Sequence, residues 1–160
     1  MLRISVFGAP QIEVEGQRIE TFESRTADAV LYYLAVNDGI HTRESLAELF
    51  WPERTQTQSL SNLRTVLHRL RRLLEPYIEI TRSTVRLDED AGIWIDAAYL
   101  LQVLNEIDTN ALSATTADHL NEALMRYRGP LLDGFYLRDC PGFEDWLRRT
   151  RETWQIRVVD

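Results

Sequence analysis

Within the first 23 residues apolar and polar positions alternate. Leu2, Ile4 and Val6 share one face of a strand and Ile12 and Val14 another, with Gly8-Ala9-Pro10 and Glu15-Gly16 as turns. This pattern predicts a small antiparallel sheet. At Ser24 the period lengthens: Ala27, Val30, Leu31 and Leu34 recur at helical spacing until Asn37-Asp38-Gly39 stops the run. Thr42 is placed to cap a second helix, whose Leu46, Leu49 and Phe50 form a short apolar stripe before Trp51-Pro52. A third helix, predicted over 56–75, opens on a capping box of Thr55 and Gln58 and repeats leucine at 60, 63, 67, 70 and 74. Pro76 closes it. Ile78, Ile80, Val85 and Leu87 then alternate around Arg82-Ser83-Thr84, which predicts a β-hairpin. Helix, turn, leucine-striped helix and hairpin is the order of a winged helix-turn-helix.

After Gly92 the texture changes. Ile93-Trp94-Ile95 predicts one last strand, Asp96 is a cap, and helices are expected over 97–107, 115–128 and 141–160, broken at Asp108-Thr109-Asn110 and Arg128-Gly129-Pro130. The last carries Phe143, Trp146, Leu147, Trp154 and Val158 on one face and reaches Asp160 without a cap. Two tryptophans there lead us to expect exposed apolar area, covered by further chain or by a second copy. The fold class expected is therefore α+β: a winged helix over 1–95 with its small antiparallel sheet, then a helical domain over 96–160.

The leucines of the third helix occupy a narrow arc that must face a core. Opposite lie Gln58, Ser61, Asn62, Thr65, Arg69 and Arg72, flanked by Arg64, His68 and Arg71. These residue types read base edges: arginine pairs with guanine, asparagine and glutamine with adenine, and serine or threonine with either. No acid interrupts the arc before Glu75. The hairpin, through Arg82, Ser83, Thr84 and Arg86, would then reach backbone or minor groove. Charge supports the placement. Between Arg54 and Leu87 seven arginines face two acids, a local balance of +5 that leaves −12 on the rest of a chain of net charge −7. All 18 basic residues are arginine, a preference as easily set by coding bias as by phosphate chemistry.

Plainer readings stand beside these. An arginine-rich helix face is often only solvated or paired with acids, Gln58 suits a cap better than a base contact, and Ser61 and Asn62 are ordinary surface types. His41, His68 and His119 have no ligands at metal spacing, so no metal or other cofactor is expected. Cys140 reads as a small buried residue. No glycine-rich phosphate loop and no G-x-S-x-G is present, and Asp88-Glu89-Asp90 reads as a hydrated turn, so an enzyme is not expected. No apolar run reaches membrane length, there is no secretory leader, and the single cysteine cannot form an internal disulfide; a cytoplasmic protein is expected.

Four segments, LRISVFGAPQIEVEGQRI, TRESLAELFWPE, SNLRTVLHRLRRLLE and YRGPLLDGFYLRDCPGFEDWLRRTRE, together resemble the Streptomyces antibiotic regulatory protein family of bacterial transcriptional activators over nearly the whole chain. The resemblance implies a winged helix of the response-regulator output type with a four-stranded N-terminal sheet. A bacterial transcriptional activator domain of tetratricopeptide-like hairpins would follow, here curtailed. It implies binding to direct repeats in double-stranded DNA as a homodimer, contact with RNA polymerase, the 56–75 helix as recognition helix and 78–87 as wing. The chain departs from the family where Arg54-Thr55-Gln56-Thr57 replaces an acidic, proline-containing entry to that helix. No receiver domain is expected before Met1, and control by abundance, further chain or a partner is expected instead. The rival expectation is a protein-protein adaptor whose winged helix does not read DNA.

Overall fold

The computed structural model describes residues 1–22, 24–109 and 114–159. Strands β1 (Leu2–Ser5) and β2 (Gln11–Val14) pair antiparallel with Leu2 opposite Val14 and Ile4 opposite Ile12. The Glu15-Gly16 turn, both residues at positive φ (51° and 81°), returns the chain into β3 (Gln17–Ile19). The inward positions Leu2, Ile4 and Ile12 are buried, as the alternation requires.

Three capped helices follow. In α1 (Arg25–Val36) the Ser24 hydroxyl accepts from the Ala27 amide at 3.0 Å. In α2 (Arg43–Phe50) Thr42 accepts from Ser45 at 3.1 Å, and in α3 (Gln56–Leu74) Thr55 accepts from Gln58 at 3.2 Å. The reciprocal half of the capping box is missing: the Gln58 side chain makes no hydrogen bond among the described residues. Leu63, Leu67, Leu70 and Leu74 are buried, with Val66 and Ser59 completing the inner face. Leu60 is only half-buried, because the first turns of α3 overhang the core, and Ser59 takes the inner place by donating to the Trp51 carbonyl at 2.9 Å.

The hairpin β5 (Ile78–Ile80) and β6 (Thr84–Leu87) has the expected register, Ile80 opposite Val85. A two-residue strand, β4 (His41–Thr42), adds to its edge and ties the start of α2 to the wing. Strand β7 (Ile93–Ile95) joins β1 in parallel, Leu2 opposite Ile93, so the N-terminal sheet, ordered β3-β2-β1-β7, is mixed and not purely antiparallel. A helical crossover permits parallel pairing, and α1 to α3 supply it.

Helices α4 (Asp96–Thr109), α5 (Ala114–Met125) and α6 (Pro141–Val159) complete the fold. The predicted break at Asp108-Thr109-Asn110 falls at the end of α4, with Asn110 outside the described residues. The buried Asp96 carboxylate accepts from the Val6, Phe7 and Ala97 amides at 2.8–3.1 Å, fastening α4 to the sheet. The Leu132 amide donates to the Val6 carbonyl at 2.7 Å. Phe143 stacks on Phe50 (5.5 Å), Trp146 meets Tyr33 edge-on (4.9 Å), and Trp154 meets Phe7 (5.1 Å). Both α6 tryptophans are therefore buried, contrary to expectation: the apolar face of α6 packs against the N-terminal half of the same chain. Ile156 remains exposed.

Candidate nucleic-acid interface

Packing of its leucine edge turns the rest of α3 outward. Gln58, Ser61, Asn62, Arg64, Thr65, His68 and Arg72 are exposed and Arg69 is half-buried. At about 100° per residue these positions fall into three rows. Arg64, His68 and Arg71 line the flank toward the wing, Gln58, Ser61, Thr65 and Arg72 form the crest, and Asn62 and Arg69 occupy the far flank. Along the crest the Thr65 hydroxyl donates back to the Ser61 carbonyl at 3.3 Å.

Between the wing-side flank and the hairpin lies a cleft of about 620 Å³ lined by Arg43, Arg64, Leu67, His68, Arg71, Ile80 and Arg82. A second, of about 560 Å³, continues past Arg64 and Arg82 to Thr42, Leu60, Ser61 and Ser83. Among the described residues the first has no carboxylate in its lining; Glu44 borders the second. Among the described residues, Arg64, Arg69 and Arg82 make neither a hydrogen bond nor an ion pair. Arg71 reaches only the Ile80 carbonyl, at 3.5 Å.

Sequence reasoning missed Arg43. It lies outside the basic stretch and enters the site only because β4 pairs with β6. Its amide donates to the Ser83 carbonyl and its Nε to the Thr81 carbonyl, both at 2.9 Å. Burial, with the Arg71 and Arg64 guanidiniums alongside, holds Arg43 below its ordinary pKa. An arginine at the start of the helix preceding α3 was the available signal, but no local pattern links it to the wing.

The wing residues separate in role. Arg82 projects from the tip. Ser83 and Thr84 build that tip: their amides donate to Thr81 Oγ1, whose hydroxyl pairs with that of Thr84 at 2.6 Å. Arg86 lies across the hairpin from Glu79 and gives Nε and Nη2 to the same carboxylate oxygen at 2.8 and 2.7 Å. Its charge is thereby balanced locally, unlike that of Arg82.

No group of three or more potential ligands that could hold a metal occurs among the described residues. The buried Cys140 thiol faces the Phe50 carbonyl at 3.4 Å, and burial pushes its pKa up, which disfavours the reactive thiolate. No helix among the described residues is long and apolar enough to cross a membrane.

Comparison with known proteins bears on the fold. No family model and no curated protein matches the chain. Among solved structures, it is similar to Mycobacterium tuberculosis EmbR, determined in complex with a low-affinity phosphopeptide. The TM-score is 0.69 at 20% identity, over 98% of this chain and 43% of EmbR. The chain thus shares its fold with a part of EmbR and spans less than half of that protein's length.

Proposed function

We propose that the protein is a sequence-specific regulator of transcription that binds double-stranded DNA, with α3 in the major groove and the β5–β6 hairpin against the backbone. A major groove about 12 Å wide admits such a helix. One observation carries the reading: α3 presents arginines and small polar side chains, without a single acid, beside a wing of like sign. Crest and far flank supply the base contacts, through Gln58, Ser61, Asn62, Thr65, Arg69 and Arg72. Arg64, His68, Arg71, Arg43 and Arg82 hold phosphates. In the finer reading, residues 1–95 bind promoter direct repeats as a homodimer while 96–160 belong to an activator domain, with RNA polymerase as partner. The fold shared with EmbR supports the architecture this needs.

Gel shifts against the gene's own upstream region test the proposal. Arg72→Ala or Arg69→Ala costs about 1–3 kcal/mol at the preferred site and relaxes base preference, whereas Arg82→Ala weakens all sequences alike. With about 4–6 phosphates neutralised, the log–log salt slope lies near −4 to −5 per protomer. Wild-type affinity for scrambled DNA equal to that for the upstream region, with Arg69→Ala and Arg72→Ala weakening both alike, overturns base reading.

A second reading, the adaptor, has one observation in its favour. An open groove of about 660 Å³ runs between α1, β7 and α4, floored by Leu34, Ile93, Ile95 and Trp154. If purified protein binds no duplex at low salt, that groove becomes the functional surface.

A further inference from the structure

The wing-side cleft holds more positive charge than one DNA phosphate requires. Four guanidiniums, those of Arg43, Arg64, Arg71 and Arg82, line a single concavity with His68, and no carboxylate among the described residues lines it with them. A phosphodiester brings one negative charge, and successive phosphates of a strand lie side by side along a ridge. A concave cage suits an anion that concentrates several charges on one short chain. Its walls are also set in advance. Arg43 is fixed to the wing by its amide and its Nε, which leaves both terminal nitrogens for a ligand. Arg71 reaches across to the Ile80 carbonyl on the opposite wall. Burial first, and then the Arg71 and Arg64 charges, hold Arg43 below its ordinary pKa. Volume agrees, since about 620 Å³ lies within the range of small-molecule sites.

We infer that this cleft binds free condensed phosphates, the di- or triphosphate chain of a nucleotide or of inorganic polyphosphate, and that such an anion competes with DNA for the wing-side flank of α3. The guanidinium fork, which pairs bidentately with phosphate oxygens, is the recognising chemistry, and the ligand's charge density is what selects it over a simple anion. Regulation would follow by mass action. Where a condensed phosphate fills the cleft, Arg64, Arg71 and Arg82 are withdrawn from the DNA backbone, and affinity falls for every sequence without any change in base preference. The competition rests on the DNA-binding reading; the anion site does not.

The test uses the full chain and sodium tripolyphosphate as probe. Sulfate at matched ionic strength is the control for screening, and a short duplex is the competitor. Calorimetry is expected to show tripolyphosphate binding at least tenfold tighter than sulfate, and the duplex is expected to displace it. Arg43→Gln and Arg71→Gln should each weaken tripolyphosphate about tenfold, while Arg138→Ala, on an exposed residue outside the cleft, leaves it unchanged. Because Arg43 also ties α2 to the wing, Arg82→Ala at the exposed tip is the second variant, and melting curves report whether each variant is folded. Tripolyphosphate indistinguishable from sulfate overturns the proposal. So does wild-type affinity in the folded Arg71→Gln and Arg82→Ala variants, or tripolyphosphate binding unaffected by a bound duplex. If tripolyphosphate binds through these arginines and no duplex binds, the anion site stands and the DNA reading falls. If duplex binds and tripolyphosphate does not, the reverse holds.

Discussion

Helices α3 and α6 are each 19 residues long and each carry four arginines, yet they use them in opposite ways. In α6 the charges are answered within the protein. Arg148 pairs with Asp145 at 2.8 Å and Glu152 at 3.5 Å, Arg149 pairs with Asp145 at 3.1 Å, and Arg157 lies over the Trp154 ring. Arg151 turns inward and donates to the carbonyls of Leu131, Leu132 and Phe135. Within α3 itself there is no acid; Arg64 and Arg69 have neither an ion pair nor a hydrogen bond among the described residues, whereas Arg71 donates to the Ile80 carbonyl and Arg72 is engaged. The number of arginines therefore says little about function. Arg148 and Arg149 have acids at i±3 and i±4, and Arg64 and Arg69 have none. On the function proposed above, α6 is a stability element and α3 a binding element, and variants can separate the two.

The largest effect is expected where α6 meets α2. A Cβ at Gly142 would overlap the Leu49 carbonyl oxygen, which is backbone and cannot swing away. Gly142→Ala should cost about 3 kcal/mol, in the upper range of overpacked substitutions, with a clear loss in Tm. DNA affinity per folded molecule should be unchanged. A variant as stable as wild type would mean that the seam between α2 and α6 is loosely packed. Arg151→Ala comes next. It leaves three carbonyls of the 131–135 segment without their charged donor, at about 2–3 kcal/mol, read as a shift of the urea midpoint with duplex binding retained. Reduced DNA affinity at full stability in this variant would erase the distinction between the helices.

The converse change gives α3 what α6 already has. Thr65→Glu places a carboxylate on the exposed crest, four residues from Arg69 and one from Arg64. Stability should move by no more than about 0.5 kcal/mol, the usual range for a surface site. Duplex affinity should fall at least tenfold, about 1.4 kcal/mol. Unchanged binding in a gel shift would remove the crest from the interface.

The features legible in the sequence are the ones that local chemistry determines. Ser24, Thr42 and Thr55 cap their helices because a short hydroxyl side chain reaches its own helix's amides. Leu63, Leu67, Leu70 and Leu74 share a face because helical period places them there, and the wing follows from alternation around Arg82-Ser83-Thr84. The features missed are long-range. Parallel addition of Ile93–Ile95 to β1 joins segments about 90 residues apart in sequence, and neither segment alone specifies the direction of pairing. The two-residue β4 is too short for periodicity to show, and with it went Arg43, the residue that closes the cleft floor. Trp146 and Trp154 looked stranded only because their partners, Tyr33 and Phe7, belong to the first 33 residues. Arg86 was open to a better reading, since hairpin register alone sets it opposite Glu79.

The smallest expected effect is a slope against pH, and it tests the fastening of α4 to the N-terminal sheet. Burial pushes the Asp96 carboxyl above its ordinary range, against the Val6, Phe7 and Ala97 amides and the Arg128 charge, which pull it down. The folded protein therefore holds this proton more tightly than the unfolded chain, whose aspartate titrates near 3.9. The contribution of this group to stability is full below about pH 4 and declines as pH rises through the raised value in the folded state. Asp96→Asn removes the titration and leaves amide donors imperfectly met, at about 1–3 kcal/mol overall. The excess stability of wild type over Asp96→Asn should narrow as pH is raised from 4 through the folded-state value, as urea midpoints at successive pH values would show. A gap that widens over the same interval would mean that the three amides outweigh burial and that the fastening works best as a charged carboxylate.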